Sequence, residues 1–147
     1  MGERRKESFA GVLVSRLTGI IVFLILLGVL NIIAGAYVQS PAFLGVVEFL
    51  NVNVGFLVLI AAIFLVGDLF GTLVFPLNLP GPFFSAVGAV FTVVFIFRLF
   101  ALVGEMTGIG VFTLFSGTLA LLIYILVFVV VLIGGYVALF ADPPGGA

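Results

Sequence analysis

The sequence predicts an all-α, polytopic membrane protein: a four-transmembrane-helix bundle with a short interfacial or re-entrant helix at 42–50. Three observations predict it. Of 147 residues, 65% are hydrophobic and 7% charged, whereas soluble domains carry about 25% charged residues. A soluble chain this apolar would have no surface to show to water. Between Arg16 and Asp142 only Glu48, Asp68, Arg98 and Glu105 are charged, leaving charge-free runs at 17–47, 49–67, 69–97 and 106–141. Three of these runs exceed the roughly 20 apolar residues that carry a helix across a bilayer, and the second completes a span if Asp68 is accommodated within it. Finally, prolines, glycines and asparagines gather at a few places along the chain, as turns require.

The elements follow in order. Residues 1–16 (MGERRKESFAGVLVSR) read as a polar, basic head, and span 1 as 17–38. The head and span also carry signal-peptide features, with Ala34 and Ala36 at A-x-A spacing. The apolar run is long for such a peptide and Asn31 interrupts it, so a retained span is expected. Ser40-Pro41 suits a helix start, because proline is tolerated in a first turn. One helix from 42 to 75 would be about 51 Å long, against a hydrocarbon core of ~30 Å. A break is therefore expected at Asn51-Val52-Asn53-Val54-Gly55, leaving the short helix at 42–50 and span 2 at 54–75. Pro76-Leu77-Asn78-Leu79-Pro80-Gly81-Pro82 ends one helix and starts the next. Span 3 is expected at 83–104, a Gly-rich link at 105–110, and span 4 at 113–140 with Gly134-Gly135 late in it. The tail, 142–147, holds two prolines and two glycines and cannot continue a helix.

Four of the five Lys and Arg residues (Arg4, Arg5, Lys6, Arg16) precede span 1. Basic residues favour the cytoplasmic side, which predicts a cell-membrane, multi-pass protein with both termini in the cytoplasm. On the predicted boundaries, Asp68 lies ~10 Å and Arg98 ~22 Å from the cytoplasmic ends of their spans. They differ by about 12 Å in depth, so a direct ion pair is not expected. Instead the reading places Arg98 in an outer polar cluster with Asn31, Glu48 and Glu105. Asp68 shares the inner half with Thr72, Arg16 and Thr18. A charge at mid-span costs about 2.5–3.5 kcal/mol on insertion scales, which makes Asp68 and Arg98 candidate intramembrane sites. The bland alternatives are snorkelling of Arg98 to the interface and a carboxyl of Asp68 satisfied by neighbouring helices.

Gly67 and Gly71 form a GxxxG step, LVGDLFG, of the kind that lets helices approach closely in lipid. A second copy, LVGEMTG, ends at Gly108, and in so Gly-rich a chain the likeness is readily a chance one. Position 65 is Leu, so the stretch lacks the first glycine of a G-x-G-D intramembrane protease motif. The 18 Phe suit lipid-facing and interhelical packing, and Tyr37 and Tyr136 fall near opposite interfaces.

The chain has no His, no Cys and no Trp. This leaves no usual ligands for haem, iron–sulfur clusters or zinc and no His-based nucleophile pair, so no catalytic residue, metal or cofactor is expected. A net charge of −1 gives no attraction to nucleic acid. The expected partners are the lipid bilayer and other transmembrane helices, through self-association or a membrane complex. The expected function is that of a non-catalytic membrane component, a homo-oligomer or a small subunit. The alternative is a small channel or transporter for protons, cations or a small solute that uses Asp68 and Arg98. An enzyme acting on lipid through carboxylates has no positive support.

Overall fold

In lipid a backbone can satisfy its polar groups only within itself, and the chain is accordingly almost all helix. The computed structural model describes residues 8–141. They form α1 (Phe9–Ala36), α2 (Pro41–Gly71), α3 (Gly81–Thr107) and α4 (Gly117–Ala141), with a 3-10 turn at Gly110–Leu114 before α4. Each of the four helices is long and apolar enough to cross a membrane.

Local chemistry explains the boundaries. α1 begins eight residues earlier than span 1 was predicted, because Ser8 caps it, accepting from the Gly11 N–H at 3.0 Å, and Phe9, Val12 and Leu13 continue its apolar character. Pro41 opens α2 and Pro82 stands in the first turn of α3. Between them lies a run of tight turns that includes a cis Phe75–Pro76 bond. Gly108 takes φ +70° and closes α3 by donating to the Gly104 carbonyl at 2.8 Å, a left-handed cap that favours glycine. Glu105, expected in a link, therefore lies in the last turn of α3. Gly117, also at positive φ, opens α4 after the 3-10 turn.

The largest departure from expectation is at residues 42–50. No separate helix forms there, and α2 runs through Asn51–Gly55 without a break for 31 residues, about 46 Å. The asparagines do not compete for the backbone of α2. Asn53 donates to the Phe49 carbonyl one turn back at 2.9 Å, and Asn51 bonds to α1. The length of α2 exceeds a hydrocarbon core of ~30 Å.

Packing runs between successive helices: α1 on α2, α2 on α3, α3 on α4. Within the described residues, helices that are not successive barely touch. The bundle is thus an open row, with α2 and α3 in the middle and α1 and α4 at the edges. Its buried positions are few and mostly small: Val12, Leu27, Val47, Asn53, Ile60, Gly67, Gly81, Ala86, Gly88 and Ala120. Bilayers supply no hydrophobic force between helices, so contact rests on close packing and polar ties. Gly67 and Gly81 meet where α2 and α3 cross, and a Cβ on Gly67 would stand 3.3 Å from the Gly81 carbonyl oxygen and from the Phe84 Cβ. Gly88 accepts the Phe64 ring, and Gly135 accepts Pro82. Phe49–Phe95, Phe56–Phe91 and Phe70–Phe84 pair across α2 and α3, with ring centroids 5.6–5.7 Å apart.

Candidate functional site

The charged and amide side chains that bond between helices fall into two layers, and α2 sits at the centre of both. The near layer lies at the end of the row that holds the start of α1 and the end of α4. There Arg16 of α1 meets Asp68 of α2. Its Nε and Nη2 both reach the same carboxylate oxygen, Oδ2, at 2.6 Å. The side chains are 52% and 33% exposed, so the pair lies on the flank of the row. On the next residue, Gly67, α2 closes against α3. Tyr136 of α4 is at the same end and donates its hydroxyl to the Leu79 carbonyl at 2.9 Å.

The far layer is built on Asn51 and Asn53. Two residues apart on a helix point to nearly opposite sides, and these two serve different neighbours. Asn51 forms a reciprocal amide pair with Asn31 of α1, at 2.9 and 2.7 Å. The Asn31 amide also donates to its own Leu27 carbonyl at 2.8 Å. Asn53, only 5% exposed, points to α3. Its amide nitrogen is engaged by the Phe49 carbonyl, so its Oδ1 is turned outward and accepts from Arg98 Nη1 at 2.8 Å. The guanidinium carbon lies 4.3 Å from the centroid of the Phe56 ring, within the range of a cation–π contact.

Fifteen residues separate Arg16 from Asn31 on α1 and Asn53 from Asp68 on α2, so the layers are about 22 Å apart along the helices. Centred in a hydrocarbon core of ~30 Å, each lies about 4 Å inside an edge. On that placement Glu48, Glu105 and Tyr37 fall beyond the far edge, and all three are exposed.

The geometry revises several expectations. Arg98 and Asn31 do share a layer, but Arg98 bonds Asn53 rather than Asn31, Glu48 or Glu105. Neither glutamate makes an ion pair within 4.0 Å among the described residues. Asp68 takes Arg16, whereas Thr72 and Thr18 donate to carbonyls of their own helices at 2.7 Å. Asp68 and Arg98 are separated by about 22 Å, not 12 Å, because α2 ends at Gly71 and α3 starts at Gly81, which puts Asp68 close to the turn that joins them and Arg98 far along α3. Gly67 makes its close approach to α3 of the same chain, while a Cβ on Gly71 would meet nothing within 4 Å. Asn51, Asn53 and Phe56 were not singled out as site residues. The signal for the first two was the Asn-x-Asn spacing inside an apolar run, which points one amide at each neighbour.

Chemically, the layers hold no set of three or more metal-binding side chains among the described residues. A shallow depression along α4, lined by Leu132, Ile133, Tyr136, Val137 and Phe140, is apolar, and the Tyr136 hydroxyl is committed to Leu79. What the layers do is join helices.

Fold and site together define a multi-pass membrane protein whose intramembrane polar groups mostly tie its own helices. The chain matches no protein-family model, no curated protein and no solved structure.

Proposed function

We propose that this chain is a non-catalytic membrane component that works by assembling with other transmembrane helices, either copies of itself or subunits of a larger complex. It resides in the cell membrane with both termini in the cytoplasm, an orientation drawn from Arg4, Arg5, Lys6 and Arg16 at one end. The observation that carries the reading is the open row. Among the described residues α1 and α4 each pack chiefly on one neighbour, and the polar groups at depth are mostly used in fastening helices. Among the described residues little lies outside the four helices, so their flanks are the principal surface.

The alternative is a small channel or transporter for protons, cations or a small solute. What favours it is the placement of Asp68 and Arg98 near opposite faces of the slab. A row of four helices encloses no lumen by itself, so this reading also calls for several copies.

Gentle extraction from the native membrane followed by native mass spectrometry separates the two. A defined hetero-complex, or a homo-oligomer that carries no ion flux in vesicles, is the expected result. A monomer or oligomer whose flux disappears with Asp68→Asn, while its fold is retained, overturns the proposal in favour of transport.

A further inference from the structure

The two layers treat their cations differently. In the near layer Arg16 is neutralised within the chain by Asp68, two N–H groups converging on one oxygen. In the far layer Arg98 is held by a neutral amide and a ring face, with no carboxylate within 4.0 Å among the described residues. A guanidinium does not lose its proton in a protein and carries five N–H donors. One of these is bonded to Asn53. The group is nonetheless held in place. Asn53 is buried, and its amide is oriented by the Phe49 carbonyl. The Phe56 ring lies against the guanidinium, its centroid 4.3 Å from the central carbon, and the remaining N–H groups are left to bond. Arg98 itself is exposed on the flank of the row. Donors left without acceptors in hydrocarbon cost several kcal/mol each, and a chain that supplies a counter-ion at one layer leaves the other to be filled from outside.

We propose that Arg98, positioned by Asn53 and Phe56, binds the phosphate of an anionic phospholipid in the leaflet opposite the termini. The depth is right. The layer lies about 4 Å inside the hydrocarbon edge, where a headgroup phosphate reaches a guanidinium with a small inward displacement, as happens around charges held in bilayers. The chemistry is right as well: a planar guanidinium edge bonds two phosphate oxygens at once, which an ammonium cannot do. The inference does not require that the chain assemble with others, only that no neighbouring chain covers Arg98.

The test uses the full chain in a neutral detergent. Its melting temperature is followed while short-chain phosphatidylglycerol, short-chain phosphatidylcholine or inorganic phosphate is added, and native mass spectrometry counts retained lipid. Phosphatidylglycerol is expected to stabilise the wild type, with apparent affinity roughly tenfold weaker in Arg98→Gln, since hydrogen bonds to a charged group typically contribute that much. Arg98→Lys keeps the charge and a long stem, and is also expected to bind more weakly, which covers the case in which Arg98→Gln does not fold. Replacing Arg4, Arg5 and Lys6 by Gln together is expected to leave the Arg98-dependent response in place. An equal response to phosphatidylglycerol in wild type and Arg98→Lys overturns the proposal. So does a full Arg98-dependent response to inorganic phosphate alone, which assigns the anion to solution. A wild type indifferent to lipid also overturns it, and is the result if a carboxylate of a neighbouring chain fills the place.

Discussion

Gly134 and Gly135 are adjacent in α4, yet the structure assigns them opposite fates on substitution. An added Cβ at Gly134 meets nothing within 4 Å, whereas at Gly135 it would stand 2.8 Å from the Pro82 Cβ and 3.4 Å from the Pro82 Cα. Pro82 is a ring at the first turn of α3 and cannot swing aside as a long side chain would. Alanine in place of glycine stabilises a helix interior by roughly 0.5–1 kcal/mol, and that gain is common to both positions. Forcing an extra carbon into a packed contact costs about 1–3 kcal/mol, a cost that falls on Gly135 alone. Gly134→Ala should therefore be neutral to slightly stabilising, and Gly135→Ala should be less stable than it by about 1–3 kcal/mol. At roughly 3 °C per kcal/mol for a chain of this size, the two variants should melt about 3–9 °C apart. The assay is the fraction of detergent-solubilised protein that remains monodisperse after heating, measured for both variants and the wild type side by side. If Gly135→Ala is as stable as Gly134→Ala, the packing of α4 on the start of α3 is wrong.

Two further predictions probe the polar layers. In a double-mutant cycle of Asn31→Ala and Asn51→Ala, the coupling should be about 0.6–1.7 kcal/mol, the range seen for hydrogen bonds between helices in bilayers; additive losses would mean that the amides do not meet. Arg16→Asp alone should destabilise the protein by placing a second carboxylate beside Asp68, and adding Asp68→Arg should restore most of the lost melting temperature. A double variant no more stable than the single one would show that the ion pair does not fasten α1 to α2.

The number of spans was legible because the bilayer imposes it. Long apolar segments separated by proline- and glycine-rich turns admit few other readings. The continuity of α2 was not legible, because Asn51, Asn53 and Gly55 are poor helix residues in water and their cluster predicts a break. In lipid the balance differs, since ending a helix exposes backbone groups that water cannot satisfy, and the asparagine side chains turn to neighbouring helices instead. The partners of Asp68 and Arg98 depend on register, and register is set by contacts that no single span displays. Gly67 against Gly81 and Gly135 against Pro82 fix how far α2, α3 and α4 slide along one another. Arg16 was among the groups expected near Asp68, because a start and an end on the same side of a bilayer share a depth. Asn53 as the partner of Arg98 required knowing that residues 51–53 are helical, and the misplaced break concealed it.

The kinds of contact differ along the row, and the difference bears on how the chain would assemble. α2, α3 and α4 are joined by close glycine approaches and by aromatic pairs such as Phe83–Phe128 and Phe97–Tyr124. α1 has neither. A Cβ added to any of its glycines would meet no other helix within 4 Å, and no aromatic pair among the described residues joins it to α2. It is held by Val12 and Leu27 packing inward and by two polar ties about 22 Å apart. Polar ties between helices are directional but modest in bilayers, and amide and ion pairs exchange partners more readily than interlocked glycines do. The row is therefore a three-helix body with a fourth helix fastened at two points, and α1 is the edge at which another helix meets the least resistance. Since the same helix bonds α2 through Asn31 and Arg16 and leaves apolar residues such as Ile21, Ile25, Val29 and Ile32 exposed, a neighbour added there would pack largely on apolar side chains.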